Sequence, residues 1–198
     1  MLGTAPCQSG RGLLIFILFY NVLTKDKIMA ASSPASPVNF SIAQRAVHWA
    51  TVLLIAWQFI AASGFDAAKE ARKAGAALDG FSAFLIQSHF ITGFVLLALV
   101  ICRLWLRFTQ GVPAEPANEP PVLKLLAKIT HIGLYVVLFA MPLSGIAFKY
   151  LGLSFAHDPH VGPLKGLMIL LIALHVAGAL VHQFIWKTDV LARMTRGV

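Results

Sequence analysis

Four stretches of the chain, residues 46–65, 80–102, 129–148 and 166–186, contain no Asp, Glu, Lys or Arg. Each is as long as the roughly 20 residues that an α-helix needs to cross a bilayer. Inside lipid no water is available to bond a free peptide group, so a crossing segment of this kind must be helical. The expected fold class is therefore all-α, a four-helix transmembrane bundle. The intervening segments, 66–79, 103–128 and 149–165, hold 14, 26 and 17 residues, short enough for one compact bundle. Composition agrees: 12% of the 198 residues are charged, against roughly 25% in soluble chains.

Lys and Arg orient the bundle. After residue 28, Arg45, Arg103, Arg107, Lys124, Lys128, Lys187, Arg193 and Arg196 fall on one side, and Lys69, Arg72, Lys73, Lys149 and Lys165 on the other. Cytoplasmic loops are the ones enriched in cations, so both termini are expected in the cytoplasm. The net charge of +8 then reflects topology and contact with anionic membrane lipid, with no nucleic-acid partner expected. A further apolar piece, LLIFILFYNVL at 13–23, is too short for a span, and Lys25, Asp26 and Lys27 stand where a cleaved signal needs small neutral residues. Residues 1–38 are accordingly read as an N-terminal extension, disordered or upstream of a true start at Met29, and 39–198 as the four-span domain. Cys7 and Cys102 imply no disulfide framework.

Pro113, Pro116, Pro120 and Pro121 predict an extended connector between the second and third spans. Pro142, in FAMPLSG, should kink the third span unless Ser144 or a neighbour satisfies the freed carbonyl. Gly93, Gly133, Gly145 and Gly178 predict close helix packing, or room for a flat cofactor.

The chemistry is carried by histidine. Of seven, His48, His89, His175 and His182 fall within charge-free stretches and His131 just inside another. Ionisable groups in spans are expensive and face the bundle interior with a partner. A lone one reads as an interhelical hydrogen bond; four together call for something more. In IALHVAGALVHQFIWK, His175 and His182 are seven residues apart, 20° short of two full turns, so a helix presents both on one face about 10.5 Å apart. Zinc wants four close ligands, often thiolate or carboxylate, which the spans do not offer. A haem iron needs one imidazole from each of two facing helices. Counting from flanking charges, His89 and His175 each lie ten residues from an outer-side charge, while His48 and His182 lie near inner cations. That ruler pairs 89 with 175 and 48 with 182.

RAVHWATVLL at 45–54, QSHFITGFVLLALVICRLWLRF at 87–108, THIGLYVVLFAMPLSGIAF at 130–148 and HVAGALVHQFIWK followed by LARM resemble, in order and spacing, the bacterial cytochrome b561 family. These are four-span di-haem proteins related to the cytochrome b subunits of hydrogenases and formate dehydrogenases. The resemblance implies a multi-pass protein of the bacterial inner membrane with two b haems, the inner one held by His48 and His175 and the outer one by His89. The family's remaining ligand corresponds to Val161, so a one-residue insertion would bring His160 into register. His157 is the alternative, and with neither the chain would hold one haem. Under this pairing His182 becomes a contact for quinone, propionate or protons. Arg103 and His131 are further candidates for quinone or propionate contact, alongside Arg107, Lys128 and Trp49, all of which also suit interfacial anchoring.

The stand-alone relatives imply the activity: passage of an electron from superoxide outside, drawn in by the outer cations, through the haems to ubiquinone. Within redox chemistry the alternative is a haem-bearing anchor relaying electrons for a partner dehydrogenase, hydrogenase or periplasmic cytochrome. From another class, a histidine-lined transporter or proton conduit would use His175 and His182 as relay groups.

Overall fold

The computed structural model describes residues 37–116 and 119–197. The reading of residues 13–23 and of an N-terminal extension to residue 38 falls almost wholly outside them. Among the described residues all regular structure is helical. There are three long helices: α1 (Ile42–Lys73) and α3 (Pro121–Leu151) run past both ends of their charge-free stretches, and α2 (Gly80–Gln110) runs past its C-terminal end. The charged residues at their ends ride on helical extensions, which continue until a specific stop. The connectors shrink accordingly.

Each start has a local cause. Ser41 caps α1 in a reciprocal box: its hydroxyl accepts from Gln44 N at 3.1 Å, and the Gln44 side chain accepts from Ser41 N at 2.9 Å. Asp79 caps α2, its carboxylate accepting from Ser82 N at 3.0 Å. Pro121 opens α3 at the first helical position, where its missing N–H would have had no partner. That helix ends at Gly152, whose φ of 67° only glycine adopts without penalty.

The fourth crossing is broken. It covers Ser154–Ile185 and consists of a 3-10 turn (Ser154–Ala156), a five-residue helix α4 (His157–Val161), α5 (Pro163–Leu180) and a π-helical turn (Val181–Ile185). A short helix α6 (Val190–Thr195) follows. Pro142 does not end α3, which continues to Leu151. The Ser144 hydroxyl donates to Met141 O at 2.8 Å, rather than serving Leu138, the carbonyl that Pro142 leaves without its usual donor.

The four crossings are long and apolar enough to span a membrane. They assemble as α1 along α2 and α3 along α5, with α2 meeting α3. The tightest approach is at Gly64, where a Cβ would lie 2.8 Å from Ser82 O and 2.9 Å from Leu85 Cβ. Gly133 performs the same service on the other side, its Cβ position lying 3.1 Å from Leu171 Cδ1, next to a core of Val137, Met168 and Leu171. Gly178, expected either to pack a helix or to leave room for a flat cofactor, has no protein neighbour within 4 Å of its Cβ position, which leaves the second reading open. Only 6% to 17% of the most apolar window in each crossing is buried. Helices with so much apolar surface exposed need apolar surroundings, which lipid supplies.

The end at which the described chain begins and finishes, here the terminal end, is clasped by hydrogen bonds. Gln44 Nε2 donates to Gly111 O at 2.9 Å, Arg45 Nη1 to Thr195 O at 3.2 Å, Trp49 Nε1 to Met194 O at 3.1 Å and Arg193 Nη1 to Ala114 O at 2.9 Å. Two of these bonds bring α6 back onto the start of α1. The opposite end, here the distal end, carries the α1–α2 connector and α4.

Candidate functional site: two facing imidazole pairs

His48, on the first third of α1, and His175, on α5, face each other with ring centres 6.2 Å apart. His89, on α2, and His160, on α4, do the same at the same separation of 6.2 Å. All four residues are half-buried. His175 stands twelve residues past the start of α5 at Pro163, about 18 Å along that helix at 1.5 Å per residue, whereas His160 precedes it, so the two pairs lie at different depths of the bundle. The charge-counting ruler therefore misjudged the partners: His89 meets His160, and His48 meets His175. It failed because the flanking charges do not mark one depth: Arg45 and Lys165 lie within the first turn of α1 and α5, whereas Asp79 precedes α2 and Lys187 follows the π turn.

Two imidazoles sharing one metal atom put their ring centres about 6 Å apart, from ~2 Å for each metal–nitrogen bond and ~1 Å from each nitrogen to its ring centre. Both separations fit. A cavity of about 420 Å³ adjoins the distal pair, lined by His89, His160, Phe65, Phe90, Phe94, Met141, Gly93, Gly145 and Tyr150 among others. It is apolar with few convergent polar groups, the usual character of a cofactor site. Gly145 is needed for it: a Cβ there would lie 3.2 Å from His160 Cε1. On the same wall Gly93 leaves room for Gln58, whose amide donates to His89 O at 3.1 Å. The donor set is imidazole alone, and among the described residues no three or more His, Cys, Asp or Glu are grouped to hold a metal ion. Paired imidazoles around an apolar cavity fit a haem.

The rings differ in how their second nitrogen is held. His160 Nδ1 lies 2.9 Å from Met141 O and 2.9 Å from Ser144 Oγ. A carbonyl only accepts, so Nδ1 carries the proton and Nε2 keeps its lone pair. The Nδ1 atoms of His48 and His89 are buried and bond to nothing among the described residues.

Around the terminal pair, His131 stands 5.1 Å from the His175 ring, its Nδ1 donating to Ala127 O at 2.7 Å. Arg103 stacks over Tyr135 at 5.8 Å. His182 sits apart, in the π turn beyond Leu180, so the regular helix that would align it with His175 has already ended. Its ring is buried, with Nδ1 2.9 Å from Thr188 Oγ1, Nε2 3.4 Å from Glu119 Oε1 and Trp186 edge-on at 4.7 Å. Lys187, at φ 51°, turns the chain so that Thr188 folds back. His157 lines the distal cavity, but its ring packs on Phe148 at 4.8 Å and its Nδ1 meets Asp158 at 3.0 Å.

Gly64, Gln58 and Glu119 were not anticipated. Gln58 was legible as the polar residue in an otherwise apolar stretch of α1, whereas the Glu119 contact depends on where the proline-rich connector folds.

The family model for prokaryotic cytochrome b561 matches residues 39–197. Cytochrome b562 of Cereibacter sphaeroides is 29% identical over 153 residues, covering 77% of this chain and 92% of that protein. The probable superoxide oxidase CybB of Yersinia pestis is 27% identical, covering 79% and 95%. Cytochrome b561 homolog 1 of Escherichia coli K12 is 31% identical, covering 79% and 96%. With bacterial relatives of this kind and four crossings, the chain is a multi-pass protein of the bacterial inner membrane. It belongs to the prokaryotic cytochrome b561 family, membrane electron-transfer proteins whose cofactor is haem b.

Proposed function

We propose that the chain holds two b haems, one between His48 and His175 and one between His89 and His160, and carries single electrons across the membrane from superoxide outside to ubiquinone. The observation that carries this reading is the pair of equal 6.2 Å ring separations at the two ends of the bundle. Held by these imidazoles, a haem would supply one-electron relay.

The chain's residues do the rest. The terminal end is the cytoplasmic one by its excess of Lys and Arg. At the distal end, facing outward, Lys165 lines the cavity rim and Lys149 sits over Phe90 at 5.3 Å, while Lys73 is paired with Glu70 at 2.7 Å. Lys149 and Lys165, with Lys69 and Arg72, draw in a small anion. Two superoxide anions give up one electron each and leave as dioxygen; one ubiquinone takes both electrons and two protons to become ubiquinol. Arg103 and His131 contact the quinone headgroup or the haem propionates beside the terminal pair, and His182, with Glu119, sits where protons enter from the cytoplasm. Relatedness to a probable superoxide oxidase supports the choice of donor.

The test is haem content and superoxide-driven ubiquinone reduction by the purified protein. Two haems per chain and a rate that scales with superoxide supply are expected. A preparation with no superoxide reaction that carries a stable partner would replace this reading with a haem-bearing anchor for a separate dehydrogenase.

A further inference from the structure

We propose that Ser144 is a positioning residue for the distal haem: with Met141 O it holds the proton of His160 on Nδ1, turning bare Nε2 to the metal and strengthening it as a donor. The inference rests on the reading of His160 as an axial ligand.

His160 needs such help more than the other three imidazoles. His48, His89 and His175 are carried on helices of 18 to 32 residues, whose regular backbone sets the direction of each side chain. His160 belongs to a helix of five residues, closed by Gly162 at φ −111°, ψ −99°. Too few backbone bonds hold that turn for it to aim a ring. The aim comes from α3 instead. Ser144 Oγ donates to Met141 O at 2.8 Å, which fixes the hydroxyl hydrogen and points the oxygen's lone pairs outward; His160 Nδ1 meets both oxygens at 2.9 Å. The next residue, Gly145, has no side chain to push the ring away, since a Cβ would lie 3.2 Å from Cε1 and 3.6 Å from Nδ1. Met141, Ser144 and Gly145 thus form a socket on one helix for a ligand on another.

The socket has an electronic consequence. A hydrogen bond from the far N–H of a metal-bound imidazole raises the basicity of the ligating nitrogen. A more basic ligand favours the oxidised metal and lowers the reduction potential. His89 Nδ1, across the same cavity, finds no such acceptor among the described residues, whereas Ser144 supplies one of the two acceptors at His160.

The experiment is a spectroelectrochemical titration of the purified holoprotein. His160→Ala first identifies the distal component as the one low-spin signal that disappears; if both signals survive, the ligand assignment itself is wrong. Ser144→Ala is expected to keep two haems per chain and to move the distal potential positive, leaving the terminal one in place. Ser144→Thr, which can return a hydroxyl to the Met141 carbonyl, is expected to bring the distal potential back. A distal potential that stays put, moves negative, or shifts together with the terminal one overturns the role of Ser144. So does loss of the distal haem that threonine fails to restore.

Discussion

The two imidazole pairs have the same 6.2 Å separation but are built differently. The terminal pair joins two long helices, with α6 clasped back onto α1 close to His48 through Arg45 and Trp49. The distal pair joins a long helix to a short one and borrows its geometry from side-chain and carbonyl bonds to α3. A ligand on a regular helix is aimed by the helix; a ligand beside a chain break has to be aimed by its neighbours. The distal site should accordingly be the easier one to disturb from outside its own ligands.

Removing a ligand gives the largest effect. His175→Ala should halve the haem content by emptying the terminal site, and His160→Ala should empty only the distal one; pyridine haemochrome assays on both variants check this. If either variant loses both haems, the sites are not independent and the contrast between them collapses.

Gly145→Ala comes next. Its methyl group, 3.2 Å from His160 Cε1, should displace the ring and reduce distal haem occupancy while the terminal signal persists.

Packing glycines sharpen the comparison further. Gly64→Ala, near the distal end, forces a methyl against the Ser82 carbonyl at 2.8 Å, and backbone cannot easily yield, so a loss of about 1–3 kcal/mol is expected. Gly133→Ala meets only the end of the Leu171 side chain, at 3.1 Å, which can rotate away. Thermal unfolding in detergent should rank Gly64→Ala well below Gly133→Ala.

The smallest expected effect concerns Asp79, at the start of α2. Hydrogen bonds to Ser82, its side chain first and its backbone second, hold the exposed Asp79 carboxyl below its usual value of 3.8. A carboxyl lowered on folding stabilises the fold above its unfolded value, and that contribution is lost as pH falls through the lower folded one. Asp79→Asn should therefore flatten the acid end of a melting-temperature profile and leave the neutral end unchanged, since asparagine caps as well.

Much of the site was legible before the fold was known. His48, His89 and His175 stand in charge-free stretches, where an imidazole is expected to face the bundle interior and a partner. The pairing was harder. Counting from charges gave 89 with 175 and 48 with 182, because a charge at the end of a helix can sit several residues past the membrane surface on the same helix. His182 illustrates the limit: its seven-residue spacing from His175 assumes α-helix throughout, and the π turn at Val181–Ile185 directs it to Glu119 and Thr188.

By itself the sequence determined that four helices cross the membrane and that imidazole is the chemistry inside them, since both follow from the cost of putting polar or charged groups in hydrocarbon, which is paid locally by each segment. Tertiary structure alone decided which ring faces which, where a glycine makes room for a neighbour, and that His160, on a five-residue helix, bonds to Ser144 and Met141 of α3. Those outcomes depend on contacts between segments far apart in the chain, and a break of one turn or a shift of one residue changes them without altering any local pattern.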